Sequence, residues 1–224
     1  MTTVLGILRE LTHSPHRVSD DHEILKAVLA ELSAAGLDCR LATPEELDGI
    51  EPGDHDLVVP MCEAYSRLMR LNSARGRALF VNPPESVLNC YRVNMVPLLA
   101  ACPEAGLPPS EIRPVAGGTG PAPAFEAPHG WWIKRGDVHN TCDRDVARIG
   151  RWQDLEAVLE DFSKREITHF IAQPHVPGDL VKFYGVGPGR WFTWFYHDPA
   201  RALGVPFDPR VLGAAVAAAA TAVD

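Results

Sequence analysis

The stretch HFIAQPHVPGDLVKFYGVG, residues 169–187, predicts two strands separated by a bend. HFIAQ is a short apolar run, and LVKFYGVG is rich in β-branched and aromatic residues with a single lysine. The Gly-Pro-Gly-Arg sequence at 187–190 predicts a tight turn into a further strand, WFTWFY (191–196). We therefore expect the last strands of the chain to be antiparallel.

The first 100 residues have a different pattern, typical of a parallel α/β fold. Short apolar runs alternate with a helix whose apolar residues recur at helical spacing, which is the βαβ arrangement. The predicted strands are 3–8, 39–42, 56–61 and 77–82, and the predicted helices are 19–36 and 86–101. Pro97 lies inside the last of these helices, so we expect that helix to kink or to break in two.

Residues 106–128 are rich in Gly, Pro and Ala and predict a strand at 112–115 followed by a loop. WWIK (131–134) predicts a further strand, and helices are expected at 152–164 and 209–223. The fold class is therefore α/β, with a parallel N-terminal domain followed by an α+β part.

The composition is that of a globular chain with a sizeable core. Of 224 residues, 46% are apolar, and 21 Lys and Arg against 29 Asp and Glu give a net charge of −8. The basic residues are scattered, which argues against nucleic acid as a partner. No apolar run is long enough to span a bilayer, and no signal peptide is evident, so we expect a cytoplasmic protein without a membrane partner. The five cysteines form no CxxC pair and predict reduced thiols and no metal ligands.

Lys134 and Lys182 are the first residues that suggest a chemical role. Each lies on a predicted strand, and two ammonium groups facing one cleft would hold phosphates by charge and hydrogen bonding. The Gly-rich stretches elsewhere lack the GK[ST] of a P-loop and the GxGxxG of a dinucleotide site.

Four successive stretches resemble the ATP-grasp superfamily, the fold of D-alanine:D-alanine ligase, glutathione synthetase and the diphosphoinositol kinases. They are VNPPESVLNCYRVNMVPLL (81–99), AGLPPSEIRPV (105–115), WWIKRGDVHNTCDRDV (131–146) and FIAQPHVPGDLVKFYGVG (170–187). The resemblance covers about residues 80–200, with a looser match of the first 80 to the domain that precedes ATP-grasp modules. It implies an N-terminal domain at 1–82 and a nucleotide-binding region at 83–224, with a lid subdomain at 110–186 and the start of a C-terminal subdomain at 187–224.

The resemblance also assigns nucleotide contacts. It implies that Arg92 is a basic contact on a helix, that Lys134 binds the α- and β-phosphates, and that Lys182 points at the phosphates. The hinge strand that pairs its backbone with adenine would run through 172–176, and Asp179 would bind the ribose. The implied cofactor-binding residues are Arg92, Lys134, Gln173, Pro174, His175, Val176, Asp179 and Lys182. The cofactors are then ATP and Mg²⁺.

The polar segment 136–145 resembles the flexible loop that covers the triphosphate in this superfamily, although an ordinary polar hairpin is an equal alternative. The acceptor site is expected after the first and third strands, where open α/β sheets bind ligands, and in this loop. Its candidate residues are Glu10, Arg17, Glu63, His139 and Arg144.

In the superfamily the Mg²⁺ ligands lie on strands after the helix that corresponds to 209–223, and this sequence ends at Asp224. We therefore assign no metal ligand and no catalytic residue, and expect a C-terminally incomplete module. Mg²⁺ neutralises charge on the transferred phosphoryl group, so its ligands are needed for turnover.

The expected activity is that of an ATP-dependent carboxylate-amine ligase working through an acylphosphate. The alternatives are a small-molecule kinase that acts on an inositol-phosphate-like acceptor, and a non-catalytic nucleotide-binding subunit. Besides ATP, the expected partner is an unidentified small-molecule or peptide acceptor. A homodimer remains open.

Overall fold

The fold is described from a computed structural model, which covers residues 1–13, 18–187, 190–204 and 209–223. The chain divides into two compact units. The first comprises Met1–Tyr91 and His139–Asp143, and the second comprises Arg92–Val138 and Arg144–Asp224. The division after residue 82 that the sequence suggested stays a prediction about independent folding.

The first unit is built on a four-stranded sheet in which all neighbours are parallel, as the alternating pattern predicts. Its strand order is β2-β1-β3-β4. The strands are β1 (Thr3–Ile7), β2 (Asp38–Ala42), β3 (Leu57–Pro60) and β4 (Leu79–Phe80). The last strand is much shorter than the predicted 77–82.

Both faces of this sheet are covered. Successive β1 side chains point to opposite sides, so neighbouring residues belong to different cores. Val4 packs with Leu25 and Leu29 of helix α1 (Val18–Ala34), whereas Leu5 belongs to the core on the other face. Gly6 allows the close approach of α1, since a Cβ at this position would lie 2.6 Å from the Leu29 side chain. The unit also contains helix α2 (Tyr65–Asn72), which the sequence analysis missed, and helix α3 (Pro84–Asn89).

The predicted helix at 86–101 is two helices, α3 and α4 (Arg92–Ala100). The break does not occur at Pro97, which lies within α4. Instead, the amides of Cys90 and Tyr91 donate to the carbonyls of Val87 and Leu88, three residues earlier, and this tighter turn ends α3.

The second unit contains an antiparallel four-stranded sheet with the order β5-β8-β6-β7. The strands are β5 (Glu111–Pro114), β6 (Trp131–Arg135), β7 (Val146–Ile149) and β8 (His169–Pro174). Strand β7 was not predicted, because the four residues VARI are too short to show an alternation. Lys134 lies opposite Ile171, and Trp132 lies opposite Gln173.

Helix α5 (Leu155–Lys164) covers one face of this sheet. Ile133 of β6 and Phe170 and Ala172 of β8 point towards it and form the core of the unit with Leu155 and Phe162. Residues that alternate with these, including Lys134 and Gln173, are therefore on the opposite face. The register of β6 and β8 decides which side chains remain available for binding.

The chain continues into an antiparallel hairpin of β9 (Val181–Val186) and β10 (Trp191–Tyr196), as predicted. The Arg190 amide donates to the Gly187 carbonyl at 3.1 Å, and the two residues between them lie outside the described ranges. Helix α6 (Pro209–Val223) has the predicted bounds. Within the described ranges, no helix is long and apolar enough to cross a membrane.

Phe162→Ala should destabilise the second unit by about 3–5 kcal/mol, because a fully buried aromatic ring is replaced by a cavity. The matched control is Glu160→Ala on the exposed face of α5, where only a surface ion pair with Lys164 is lost and the change should stay within about 0.5 kcal/mol. Urea unfolding followed by tryptophan fluorescence measures this directly, since all five tryptophans lie in the second unit. Equal midpoints for the two variants would contradict the assigned core.

Candidate functional site

Lys134 lies on the sheet face opposite α5 and is only partly exposed. Its ammonium group donates to the side-chain oxygen of Gln173, with 2.6 Å between Nζ and Oε1. Burial lowers the pKa of Lys134 below its usual value of 10.5, and the nearby positive charge of Arg92 lowers it further. A lysine in this position gains from a negatively charged ligand, because its hydrogen-bond partner Gln173 is a neutral amide.

Gln173 continues the hydrogen bonds from Lys134 towards β5. Only 7% of Gln173 is exposed, and its Nε2 donates to Ser110 Oγ at 2.6 Å. Ser110 Oγ in turn donates to the carbonyl oxygen of Pro108 at 2.7 Å. The side chains of Lys134, Gln173 and Ser110 thus form one continuous polar row on the face opposite α5, from β6 through β8 to the residue before β5.

Arg92 is positioned at the beginning of α4, where the helix meets the end of β6. Its Nη1 donates to the Arg135 carbonyl at 2.8 Å, and the Val93 amide donates to the Gly136 carbonyl at 3.1 Å. Burial lowers the pKa of Arg92, while the charge of Asp145 opposes that shift. The charges of Arg92 and Lys134, two predicted phosphate contacts, therefore act on each other. Lys134 is in turn bonded to Gln173.

A buried carboxylate fixes the end of the predicted covering loop 136–145. Asp145 is fully buried, and its oxygens lie 2.5 Å from Nη1 of Arg165 and 3.7 Å from Nη1 of Arg135. At the other end, Asp137 accepts from Nε of Arg135 at 2.7 Å and from the Thr168 amide at 3.1 Å. Charge-assisted bonds of this kind hold one end of the loop to Arg135 of β6 and the other end mainly to Arg165, directly after α5.

The predicted hinge follows the end of β8. The His175 amide donates to the Gly130 carbonyl at 2.8 Å, so this main-chain donor is already used. The ring of His175 accepts from the Trp132 indole, with 3.0 Å between Nε1 and Nδ1. Burial lowers the pKa of His175, and the Arg148 charge lowers it further, which favours the neutral imidazole that can accept this bond. Pro174 is the last residue of β8, and Val176 is exposed.

Other predicted nucleotide contacts lie on separate elements of the second unit. Lys182 is exposed on β9, and no hydrogen bond or ion pair within the described part of the chain joins it to Lys134. The Asp179 carboxylate accepts from the Leu203 amide at 2.6 Å. Arg144, a predicted acceptor contact, pairs with Asp161 of α5, with 2.6 Å between Nη1 and Oδ1.

The remaining acceptor candidates belong to the first unit. Glu10 follows β1, and its two oxygens accept from the amides of Glu63 and Ala64 at 2.8 and 3.1 Å, directly before α2. Its carboxylate thus stabilises the N-terminus of that helix. Glu63 pairs with Arg9, with 2.8 Å between Oε1 and Nη2. His139 is exposed in the 139–143 segment, and Arg17 lies outside the described residues.

Cys62, which follows β3 in the first sheet, is also a structural residue. It is fully buried, and burial together with the charge of Glu10 raises the pKa of its thiol to about 12. A thiol of that pKa is protonated at neutral pH and is a poor nucleophile.

The described residues contain no group of three or more His, Cys, Asp or Glu side chains that could hold a metal ion. No residue of the described chain is therefore assigned to Mg²⁺. Lys134 and Arg92 are themselves cations, so their charge suits an anionic ligand and not a bare cation.

Two features of the site were not found in the sequence. Ser110 stands among prolines before a short strand, and nothing in one sequence indicates that it lies beside Gln173, 63 residues further on. In the sequence, nothing distinguishes Asp145 from the other polar residues of its loop. Its position directly before a strand is known only from the structure, in which β7 begins at Val146. Both residues lie immediately before a strand, and an exact strand boundary would have indicated them. Patterns in a single sequence locate such boundaries only to within a few residues.

The sequence matches no protein-family model and none of the curated proteins. Its structure is similar to a D-alanine–D-alanine ligase from Bacillus anthracis complexed with ATP, at a TM-score of 0.70 and 11% identity, covering 100% of this chain and 78% of that one. It is also similar to a RimK domain ATP-grasp protein from Sphaerobacter thermophilus, at a TM-score of 0.61 and 16% identity, covering 96% and 80%.

A third similar structure is the D-alanyl-alanine synthetase A from Vibrio cholerae, at a TM-score of 0.59 and 10% identity. The match covers 87% of this chain and 65% of that chain, so this chain spans less than two thirds of the synthetase. Identities this low show the fold alone. Together with the mixed α/β architecture, they show that the chain has an ATP-grasp fold.

Proposed function

We propose that this chain binds ATP on the face of the β5-β8-β6-β7 sheet that lies opposite α5. The observation that supports this most strongly is the position of Lys134, which is partly buried on this face with the neutral Gln173 amide oxygen 2.6 Å from its Nζ. Burial lowers the pKa of this lysine, and the charge of Arg92 lowers it further. Holding Lys134 partly out of water, near the positive charge of Arg92, raises the free energy of its charged form. A triphosphate would offset that cost by adding negative charge beside both.

In this proposal the nucleotide contacts are divided between side chains of the second unit. Lys134 and Arg92 bind phosphate oxygens, and Gln173 with the segment 174–176 binds the adenine. Apolar residues beside them, Ile171 on the same face among them, exclude water from the base. Asp179 and Lys182 are retained as proposed contacts to ribose and phosphate. Mg²⁺ would neutralise charge on the phosphates when bound, and no ligand from the described part of this chain is assigned to it.

We further propose ligase chemistry, in which ATP phosphorylates a carboxylate and an amine attacks the acylphosphate. The support is that similar structures include two enzymes named as ligase and synthetase for alanine dipeptides. The acceptor contacts remain the proposed Glu10, Arg17, Glu63, His139 and Arg144. Of these, Glu10, Glu63 and Arg144 already bind protein groups, so they would have to exchange those partners for a substrate.

Hydroxylamine distinguishes this reaction from the kinase alternative. An acylphosphate formed from D-alanine or another small amino acid would be trapped as a hydroxamate, with release of ADP and phosphate. A kinase would instead yield a stable phosphorylated product and no hydroxamate. ATP binding without either product would support a nucleotide-binding subunit.

Lys134→Met should weaken ATP binding by about 1.5–3 kcal/mol, or roughly 10- to 150-fold in Kd, because a charge-assisted contact to phosphate is lost. Lys164→Met is the matched control, since it removes the same charge from an exposed position on α5. Calorimetry with a non-hydrolysable ATP analogue measures both. Equal affinities for the two variants would contradict a phosphate contact by Lys134.

ATP affinity should also fall at alkaline pH, because deprotonated Lys134 cannot bind phosphate as a cation. Since the pKa of this lysine is lowered in the empty site, the fall should begin at lower pH than the usual lysine value of 10.5 implies. The dissociation constant measured from about pH 8 to 10.5 tests this, with Lys134→Met as the variant expected to lack that phase. An identical alkaline phase in Lys134→Met would assign the titration to another group.

The loop 136–145 should be mobile without nucleotide and ordered with it. Its ends are held by the bonds of Asp137 to Arg135 and Thr168 and of Asp145 to Arg165, so the change should be confined to amides between them. Hydrogen exchange with and without the ATP analogue measures this. Equal protection of 138–144 in both states would count against a covering role.

A further inference from the structure

Ser110 has no role in the sequence-based assignment, yet it ends a row of hydrogen bonds whose direction is fixed by chemistry. The Lys134 ammonium can only donate, so the Gln173 atom that faces it at 2.6 Å is the amide oxygen. At the other end, the Pro108 carbonyl can only accept, so the Ser110 hydroxyl donates to it at 2.7 Å. The remaining lone pair of Ser110 then accepts from Gln173 Nε2.

The Gln173 amide therefore has one orientation, set from both sides. This orientation places an acceptor, Oε1, beside Lys134 and a donor, Nε2, against Ser110. Gln173 is almost fully buried, so water does not compete for these groups.

Nucleotide binding changes which partner holds the amide. If Lys134 turns to a phosphate oxygen, as the proposed function requires, the pairing of two opposite charges replaces its bond to a neutral amide. Ser110 is then the described side chain that still bonds the Gln173 amide and keeps its oxygen on the binding face.

Adenine and guanine present opposite groups to such an oxygen. The 6-amino group of adenine donates, whereas O6 of guanine accepts. We propose that Ser110 is a positioning residue that keeps the Gln173 oxygen towards the base and so makes the site prefer adenine to guanine. This inference rests on the proposed ATP site and extends it to the origin of base selectivity.

The test compares calorimetric affinities for the β,γ-imido analogues of ATP and GTP. Wild type should prefer the ATP analogue, and Ser110→Ala should narrow the ratio by roughly 2- to 10-fold, since one neutral hydrogen bond no longer prevents the amide from turning over. Ser110→Thr keeps the hydroxyl and should keep the ratio. Thermal unfolding of each variant separates loss of selectivity from loss of fold.

The Gln173→Glu variant is the control for this explanation. Both oxygens of its carboxylate accept hydrogen bonds, so rotating the group by about 180° presents the same acceptor to the base. In that background Ser110→Ala should leave the ratio unchanged. An unaltered ratio in Ser110→Ala alone, with ATP still bound, would overturn this inference and leave the proposed function intact. A wild-type chain that bound neither analogue would instead contradict the proposed function, and the inference with it.

Discussion

The antiparallel register between β6 and β8 determines both the core and the candidate site. With Ile133 opposite Ala172 on the α5 side, the strand alternation leaves Lys134 and Gln173 on the other face. A shift of one residue would bury the lysine against α5 and expose the core residues, so the register is strongly favoured by the hydrophobic effect. The same burial that stabilises the unit thus also positions its cations.

The electrostatic environment of Lys134 differs from that of the other cations near this sheet. A structural lysine on a sheet is usually exposed to water, but Lys134 is partly buried and bonded to an amide, and its pKa is lowered by burial and further by the charge of Arg92. By contrast, the nearby cations Arg135 and Arg165 are bonded to the carboxylates of Asp137 and Asp145. Arg135 and Arg165 are thus neutralised by carboxylates of the chain, whereas Lys134 is bonded to a neutral amide that an anion can replace.

Much of this fold follows from sequence patterns, because its long elements carry a clear period. The α1 periodicity, the strands around Lys134 and Gln173 and the β9–β10 hairpin were all predicted at nearly their observed bounds. Short elements such as β7 and α2 contain too few residues for a period to appear.

The site was less accessible to sequence analysis than the fold. Lys134 and Arg92 were identified through motifs whose order matches ATP-grasp proteins, but the contacts between Gln173 and Ser110 depend on strand pairing over a long separation. Likewise, Glu10 was expected at a ligand edge, and the structure shows it capping α2, because free helix amides attract a carboxylate whether it belongs to a ligand or to the chain.

The central claim is that the face of the second sheet opposite α5 holds ATP, and a crystal structure with a non-hydrolysable ATP analogue tests it most directly. The account predicts phosphate oxygens within hydrogen-bond distance of Lys134 Nζ and the adenine beside Gln173 at the end of β8. Nucleotide density on another surface, with the Lys134–Gln173 bond unchanged, would contradict it.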